Sequence, residues 1–289
     1  MPGPDLADDL ADDMVGAGLD ALDAPEVQPA PKWRRIARAV LPPIVAAILF
    51  VAIWQALWAC AIWPEYQLPA PAAVGRELLD QARGAHALAI IWVSVHRAAF
   101  GFALGVTIGT PLGLILAKVP LLRSAFAPLL SGLQSLPSVA WVPAAILWFG
   151  IQPTAIYFVV LLGSVPSIAN GMLAGVDQIP PILVRVGTVL GAGRLANARY
   201  ILLPAALPGY LAGLKQGWAF SWRSLMAAEL IANSPQLGEG LGQYLQNGQS
   251  LSDMPTVISA IVLILLVGIG VELLVFRPLE RSVLRTRGF

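Results

Sequence analysis

Charge is what this chain has least of. Asp, Glu, Lys and Arg make up 12% of its 289 residues and hydrophobic residues 57%, whereas soluble globular domains carry about 25% charged residues. A chain this poor in charge cannot cover a water-facing surface, which leaves a polytopic, all-α membrane protein as the simplest class. Lysine is nearly missing, with only Lys32, Lys118 and Lys215. The net charge of +1 gives no basic excess, so nucleic acid is not an expected partner. A single cysteine, Cys60, excludes an internal disulfide and reads as a packed thiol in an apolar run. No Cys/His cluster points to a metal. There is no G-x4-G-K-[ST] string, and no Gly-Lys pair at all. Without a phosphate-cradling loop the chain cannot hold ATP in the usual way. Nor is any Ser/His/Asp or paired-carboxylate arrangement evident, so the chain is not expected to be a catalyst by itself.

Residues 1–31 differ from the rest. Eight acids, from Asp5 to Glu26, stand there without any Arg. Acidic, rich in Ala, Pro and Gly, and free of aromatics before Trp33, this stretch reads as a disordered tail. The charge then flips. Lys32, Arg34, Arg35 and Arg38 precede an apolar run over 41–63, long enough to cross a bilayer core of about 30 Å. Further spans are expected at about 90–117, 125–149, 153–174, 209–232 and 256–276, giving a six-span domain over 32–289. With an even count and an inner N-terminus, Lys118, Arg123, Arg185, Arg194, Arg199, Arg277, Arg281, Arg285 and Arg287 fall inside. Only Arg76 and Arg83 fall outside, and the connections 150–153 and 233–255 carry no Lys or Arg. The positive-inside bias thus places both termini in the cytoplasm of a multi-pass protein. Gly101, Gly105, Gly109 and Gly113 recur every four residues, a stripe that lets helices approach closely and needs no role beyond packing.

The inner connection 175–208 is too polar and too flanked by proline to span. Ile182, Val186, Val189 and Leu190 fall at helical spacing, a Gly191-Ala192-Gly193 turn follows, and a second short helix carrying Arg194 and Arg199 leads to Leu203-Pro204. Such a cytoplasmic helix–Gly–helix suits docking into another protein's groove.

Gly191, nine residues, Ile201, one residue and Leu203-Pro204 match the later part of the EAA loop, E-A-A-x3-G-x9-I-x-L-P, of ABC importer permeases. LPSVAWVPAAILWFG at 136–150, LGAG at 190–193, LPAALPGYLAGLK at 203–215, AAEL at 227–230 and LERSVLR at 279–285 fit the same family. The chain therefore resembles the nitrate/sulfonate/taurine/bicarbonate branch, most closely its aliphatic-sulfonate permeases, over about 90–287. One departure stands out: Arg185-Val186-Gly187 replaces the opening E-A-A, a base where the signature has an acid.

The resemblance implies a type I, MetI-like fold of six transmembrane helices in the bacterial inner membrane. It also implies a coupling helix within 175–208, with Arg185, Gly191, Ala192, Arg194, Ile201, Leu203 and Pro204 as the residues that would meet the motor. The implied partners are a pair of separate ABC ATPase subunits that bind ATP and Mg, an extracytoplasmic substrate-binding protein, and a second permease copy around a central path in the lipid bilayer. Gly191 would permit φ > 0, and Pro204 is expected to break the helix and redirect the chain into the fifth span. The implied cargo is a small oxyanion, aliphatic sulfonate or taurine first, then nitrate, bicarbonate or aromatic carboxylate. A secondary transporter coupled to an ion gradient is the alternative, although no internal repeat supports it.

Charges within spans are costly and point to function. Trp218, Trp222 and Glu229 lie within about 60° on a helical wheel and could line part of the path, against a packing role for the Trp residues and a structural or gating one for Glu229. Arg223 points to the other side and is either an anion contact or a tie between helices. Arg97 and Lys215 are expected to snorkel.

Overall fold

The computed structural model describes residues 32–84, 86–232 and 238–285, and the acidic tail of 1–31 lies outside them. No strand occurs among the described residues. The chain divides into two units at Leu57/Trp58. The first is built on α1 (Lys32–Ala59), with Pro42 and Pro43 inside the helix. The second holds everything that follows. It comprises α2 (Pro71–Arg83), α3 (His86–Lys118), α4 (Pro120–Ser135), α5 (Val142–Phe149), α6 (Pro153–Asp177), α7 (Pro181–Val189), α8 (Arg194–Asn197), α9 (Leu203–Ile231), α10 (Leu241–Ser250), α11 (Met254–Val271) and α12 (Arg277–Arg285).

Proline sets many of the starts. It occupies the first turn of α2, α4, α5, α6, α7, α9 and α11, where its missing N–H has no intrahelical partner to lose. Among the described residues four helices are long and apolar enough to cross a membrane: Val40–Ala59, His86–Lys118, Pro153–Asp177 and Met254–Val283. The expected span 125–149 is not one straight rod. It consists of α4, a 3-10 turn over Ser138–Trp141 and α5, with a bend of 96° at the break. Pro137 is the cause: it disfavours helix at the preceding residue, and Leu136 is extended at ψ 130. Helix α9 has length enough, at 29 residues, but Lys215, Arg223 and Glu229 dilute its apolar face.

The centre of the second unit is α6, flanked by α3 and α9. The stripe Gly101–Gly113 faces it: a Cβ at Gly109 would come within 3.0 Å of the Val165 carbonyl, and one at Gly113 within 2.6 Å of the Ala169 carbonyl. On the other side Gly171 meets Gly213, backbone against backbone. Packing accounts for the stripe, as expected. At the C-terminal end of α6 Arg123 donates to both carboxylate oxygens of Asp177, at 2.8 and 2.6 Å. Both side chains are well exposed, so Arg123→Ala is expected to leave the midpoint of an unfolding titration almost unchanged.

The polar connections 64–87 and 238–255 meet. The Tyr244 hydroxyl donates to Glu77 at 2.9 Å, and His86 lies 3.3 Å from Glu239. Burial raises the Tyr244 pKa above its ordinary value, so it remains a donor at neutral pH. Cys60 sits in the turn after α1 and is exposed, not packed.

Candidate functional site

Two features of the second unit gather the residues expected to matter. The first is the bend between α7 and α8. Helix α7 closes with Gly191 N–H donating to the Thr188 carbonyl at 3.1 Å and Ala192 N–H to the Gly187 carbonyl at 2.9 Å. Gly191 has φ +81, a conformation that side-chain-bearing residues adopt at a cost. The bend presents apolar groups outward: Val189 is 86% exposed and Leu190 81%. Arg185 is exposed too, so the base that replaces the signature acid lies on the surface of the loop. Gly187 is buried, and a Cβ there would run into Ile201 Cδ1. The third signature position is small because the two arms of the loop close against each other there.

Arg194 opens α8. The chain then stays helical through a π turn, Ala198–Leu202, and enters α9 at Leu203 with Pro204 in its first turn. This corrects the expectation that Pro204 breaks the helix. The hydrogen-bond register widens just before Pro204, where a residue without an N–H is tolerated.

The second feature is a cavity of about 630 Å³ between α9 and the arm formed by α11, a π turn over Glu272–Phe276 and α12. Trp218, Trp222 and Arg223 all line it. The two indoles stack, with ring centroids 6.4 Å apart and planes 15° from parallel. The wheel set Arg223 apart from them, but its long side chain reaches round to the same space. Its Nε donates to the Ala219 carbonyl at 3.2 Å and its guanidinium stands 5.0 Å over the Phe220 ring. Lys215, expected to snorkel, instead pairs with Glu272 across the cavity wall.

Glu229 does not line this cavity. Two turns beyond Trp222, it is fully buried where α3 and the 238–242 segment close on α9. Its carboxylate accepts from Arg97 Nη1 at 2.9 Å, Ser94 Oγ at 2.8 Å and the Gly242 N–H at 3.1 Å. Leu241 N–H in turn donates to Ser94 Oγ at 2.8 Å. Arg97, also expected to snorkel, is only 9% exposed. Sequence reasoning missed this cluster, although one signal was available: opposite charges in two predicted spans, each too costly to bury unpaired.

The bend, the glycine seams and the bent α4–α5 pair can be set beside known proteins. A family profile described as the binding-protein-dependent transport system inner membrane component matches residues 109–282. The chain belongs to that family. The permease is 28% identical over 248 residues to the taurine transport system permease protein TauC of Escherichia coli, covering 84% of this chain and 89% of the other. It is 26% identical to the putative aliphatic sulfonates transport permease protein SsuC of Bacillus subtilis, covering 86% of each. It is 29% identical to the bicarbonate transport system permease protein CmpB of Synechococcus elongatus, covering 88% and 93%. Among solved structures, an inward-facing conformation of the MetNI methionine ABC transporter aligns with a TM-score of 0.55 at 21% identity, covering 66% of the permease and 93% of that chain. This likeness speaks for the fold. The permease is thus an ABC importer subunit of the inner membrane with a MetI-type helical fold, and the family it belongs to supplies no ATPase domain of its own.

Proposed function

We propose that the permease forms the path by which a small oxyanion enters the cell, driven by a separate ATPase that docks on the bend at 175–208. Aliphatic sulfonate or taurine is the first cargo class, ahead of nitrate, bicarbonate and aromatic carboxylates. The carrying observation is the exposed apolar pair Val189–Leu190 beside Gly191 at φ +81, in the segment that keeps the Gly-x9-Ile-x-Leu-Pro spacing. Apolar tips on a polar inner loop cost solvation unless something covers them. A nucleotide-binding partner explains them, and the missing phosphate-cradling loop explains why one is needed. Two permease copies, two ATPase subunits and an extracytoplasmic binding protein complete the proposed assembly, with α9 as a span and both termini inside.

The test is copurification with an ATPase, followed by ATP-dependent uptake across a panel of oxyanions in proteoliposomes. Uptake on an ion gradient alone would refute the reading. Leu190→Asp is expected to reduce ATPase pull-down at least about tenfold without changing membrane insertion, because an exposed tip has no packing to lose. Undiminished association would remove the bend from the docking role.

A further inference from the structure

We propose that the break between α4 and α5 lines the water-filled path of the permease, and that the Gln134 and Asn170 amides are the neutral donors that a passing anion meets there. This rests on the importer reading above and names a part of the chain that touches the cargo.

Depth is the first ground. Arg123 on α4 and Asp177 on α6 are joined as an ion pair, which sets a common level for the two helices. Ser135, the last residue of α4, lies about 18 Å along its helix from Arg123, whereas α6 runs about 36 Å from Asp177 back to Pro153. The break therefore stands half-way along α6, and a bilayer core is about 30 Å thick. The second ground is the backbone. Leu136 is extended at ψ 130, Pro137 has no N–H to give, and the chain turns by 96°. The last carbonyls of α4 thus lack intrahelical partners, and Ser135 Oγ donates to that of Gly132 at 2.7 Å. Irregular backbone at membrane depth is tolerated only where protein covers it or where it lines a water-filled cavity. The packed helices of the unit leave it open: Leu136 is 49% exposed and Val139 43%.

Polarity is the third ground. Residues 124–176 contain no Asp, Glu, Lys or Arg, so no charge there repels an anion or holds it fast. Two amides meet instead. Gln134 Nε2 donates to Ser167 Oγ at 2.8 Å, and Asn170 Nδ2 donates to Gln134 Oε1 at 2.9 Å. Each amide carries two N–H groups, so each keeps one beyond these bonds, and both side chains are half-buried. Ser131, Gln134 and Ser135 fall within about 100° of the circumference of α4. Neither a lipid-facing surface nor an apolar seam between two copies has a use for such a polar edge. Neutral donors suit a path, because binding there must be favourable enough to admit the ion and weak enough to release it.

Single cysteines test the access of water. In a Cys60→Ser background, Ser135→Cys and Val139→Cys are made in the permease–ATPase complex in proteoliposomes. Each is treated, at rest and during ATP turnover, with a charged, water-soluble thiosulfonate or with a lipid-soluble maleimide. The charged reagent is expected to modify both cysteines in at least one of the two conditions. Modification by the maleimide alone would turn the break towards lipid, and resistance to both reagents would bury it in protein; either result overturns the proposal. Gln134→Glu and Gln134→Met test the contact, read as ATP-dependent uptake of ethanesulfonate, benzoate, nitrate and bicarbonate. Glu can keep both hydrogen bonds of the cluster but brings a like charge to the path, so KM for each anion carried should rise at least about tenfold. Met loses the bonds and adds no charge, and its KM should rise less. A merely structural role would give the reverse order and overturn the contact. Open cysteines in a complex that takes up none of the four anions would sink the importer reading and leave the water-lined break standing. Uptake with silent cysteines would sink the break alone.

Discussion

Replacing Glu229 by Ala is expected to destabilise the permease by about 3–5 kcal/mol. The carboxylate is fully buried and accepts from Arg97, Ser94 and the Gly242 N–H. Its removal takes the carboxylate from the Arg97 guanidinium, itself about nine-tenths buried, which keeps a contact to the Gly238 carbonyl but loses its opposite charge. Breaking such a pair from one side costs far more than deleting both partners, because the survivor keeps its desolvation penalty. Arg97→Leu alone should fall in the same range, while Arg97→Leu with Glu229→Leu should lose clearly less than the sum of the two. Thermal unfolding of the four proteins in one detergent gives the cycle. Additive losses would mean that the two charges do not see each other.

The second large effect is expected at Gly213. A Cβ there would strike the Gly171 Cα, main chain against main chain. A clash with a flexible side-chain tip can be relieved by a rotamer change, but this one can be relieved only by moving α6 away from α9. Gly213→Val should therefore reach or exceed the upper end of the overpacking range, about 3 kcal/mol. Gly132→Val, placed where a Cβ meets nothing within 4 Å, serves as the control and should change the melting temperature little. Equal losses at the two sites would argue against a close α6–α9 seam.

Much of this architecture was readable beforehand because apolar length and proline punctuation are local signals. The helices over 86–118 and 153–177 are long apolar runs, and the Gly101–Gly113 stripe announced the face that meets α6. Other parts were not legible, for identifiable reasons. The 96° break within 120–149 follows from Pro137, yet Pro111, Pro128 and Pro166 lie inside continuous helices. Whether a proline breaks a membrane helix depends on neighbours that re-satisfy the freed carbonyl, and those come from elsewhere in the chain. The wheel for α9 correctly grouped Trp218 with Trp222. It could not see that Glu229, two turns further on, passes from the cavity wall into a cluster closed by α3 and the 238–242 segment. Arg97 and Lys215 failed as snorkelling residues for the same reason: each found an acid more than fifty residues away, and no local rule records such a partner. The bend between α7 and α9 was the most legible part, since its turn glycine, its Ile and its Leu-Pro lie within fourteen consecutive residues.

The π turn at Ala198–Leu202 has a mechanical consequence. It splices α8 to α9 without an extended residue between them, so the bend carrying Val189 and Leu190 is welded to one end of a strut of 29 residues, about 44 Å long. A strut carries thrust and torque where a slack tether would absorb them. If the two ends move as one body, Trp218, Trp222 and Arg223 should follow a displacement of the foot, and a single flexible insertion at Leu202 should uncouple the two ends while leaving each of them intact.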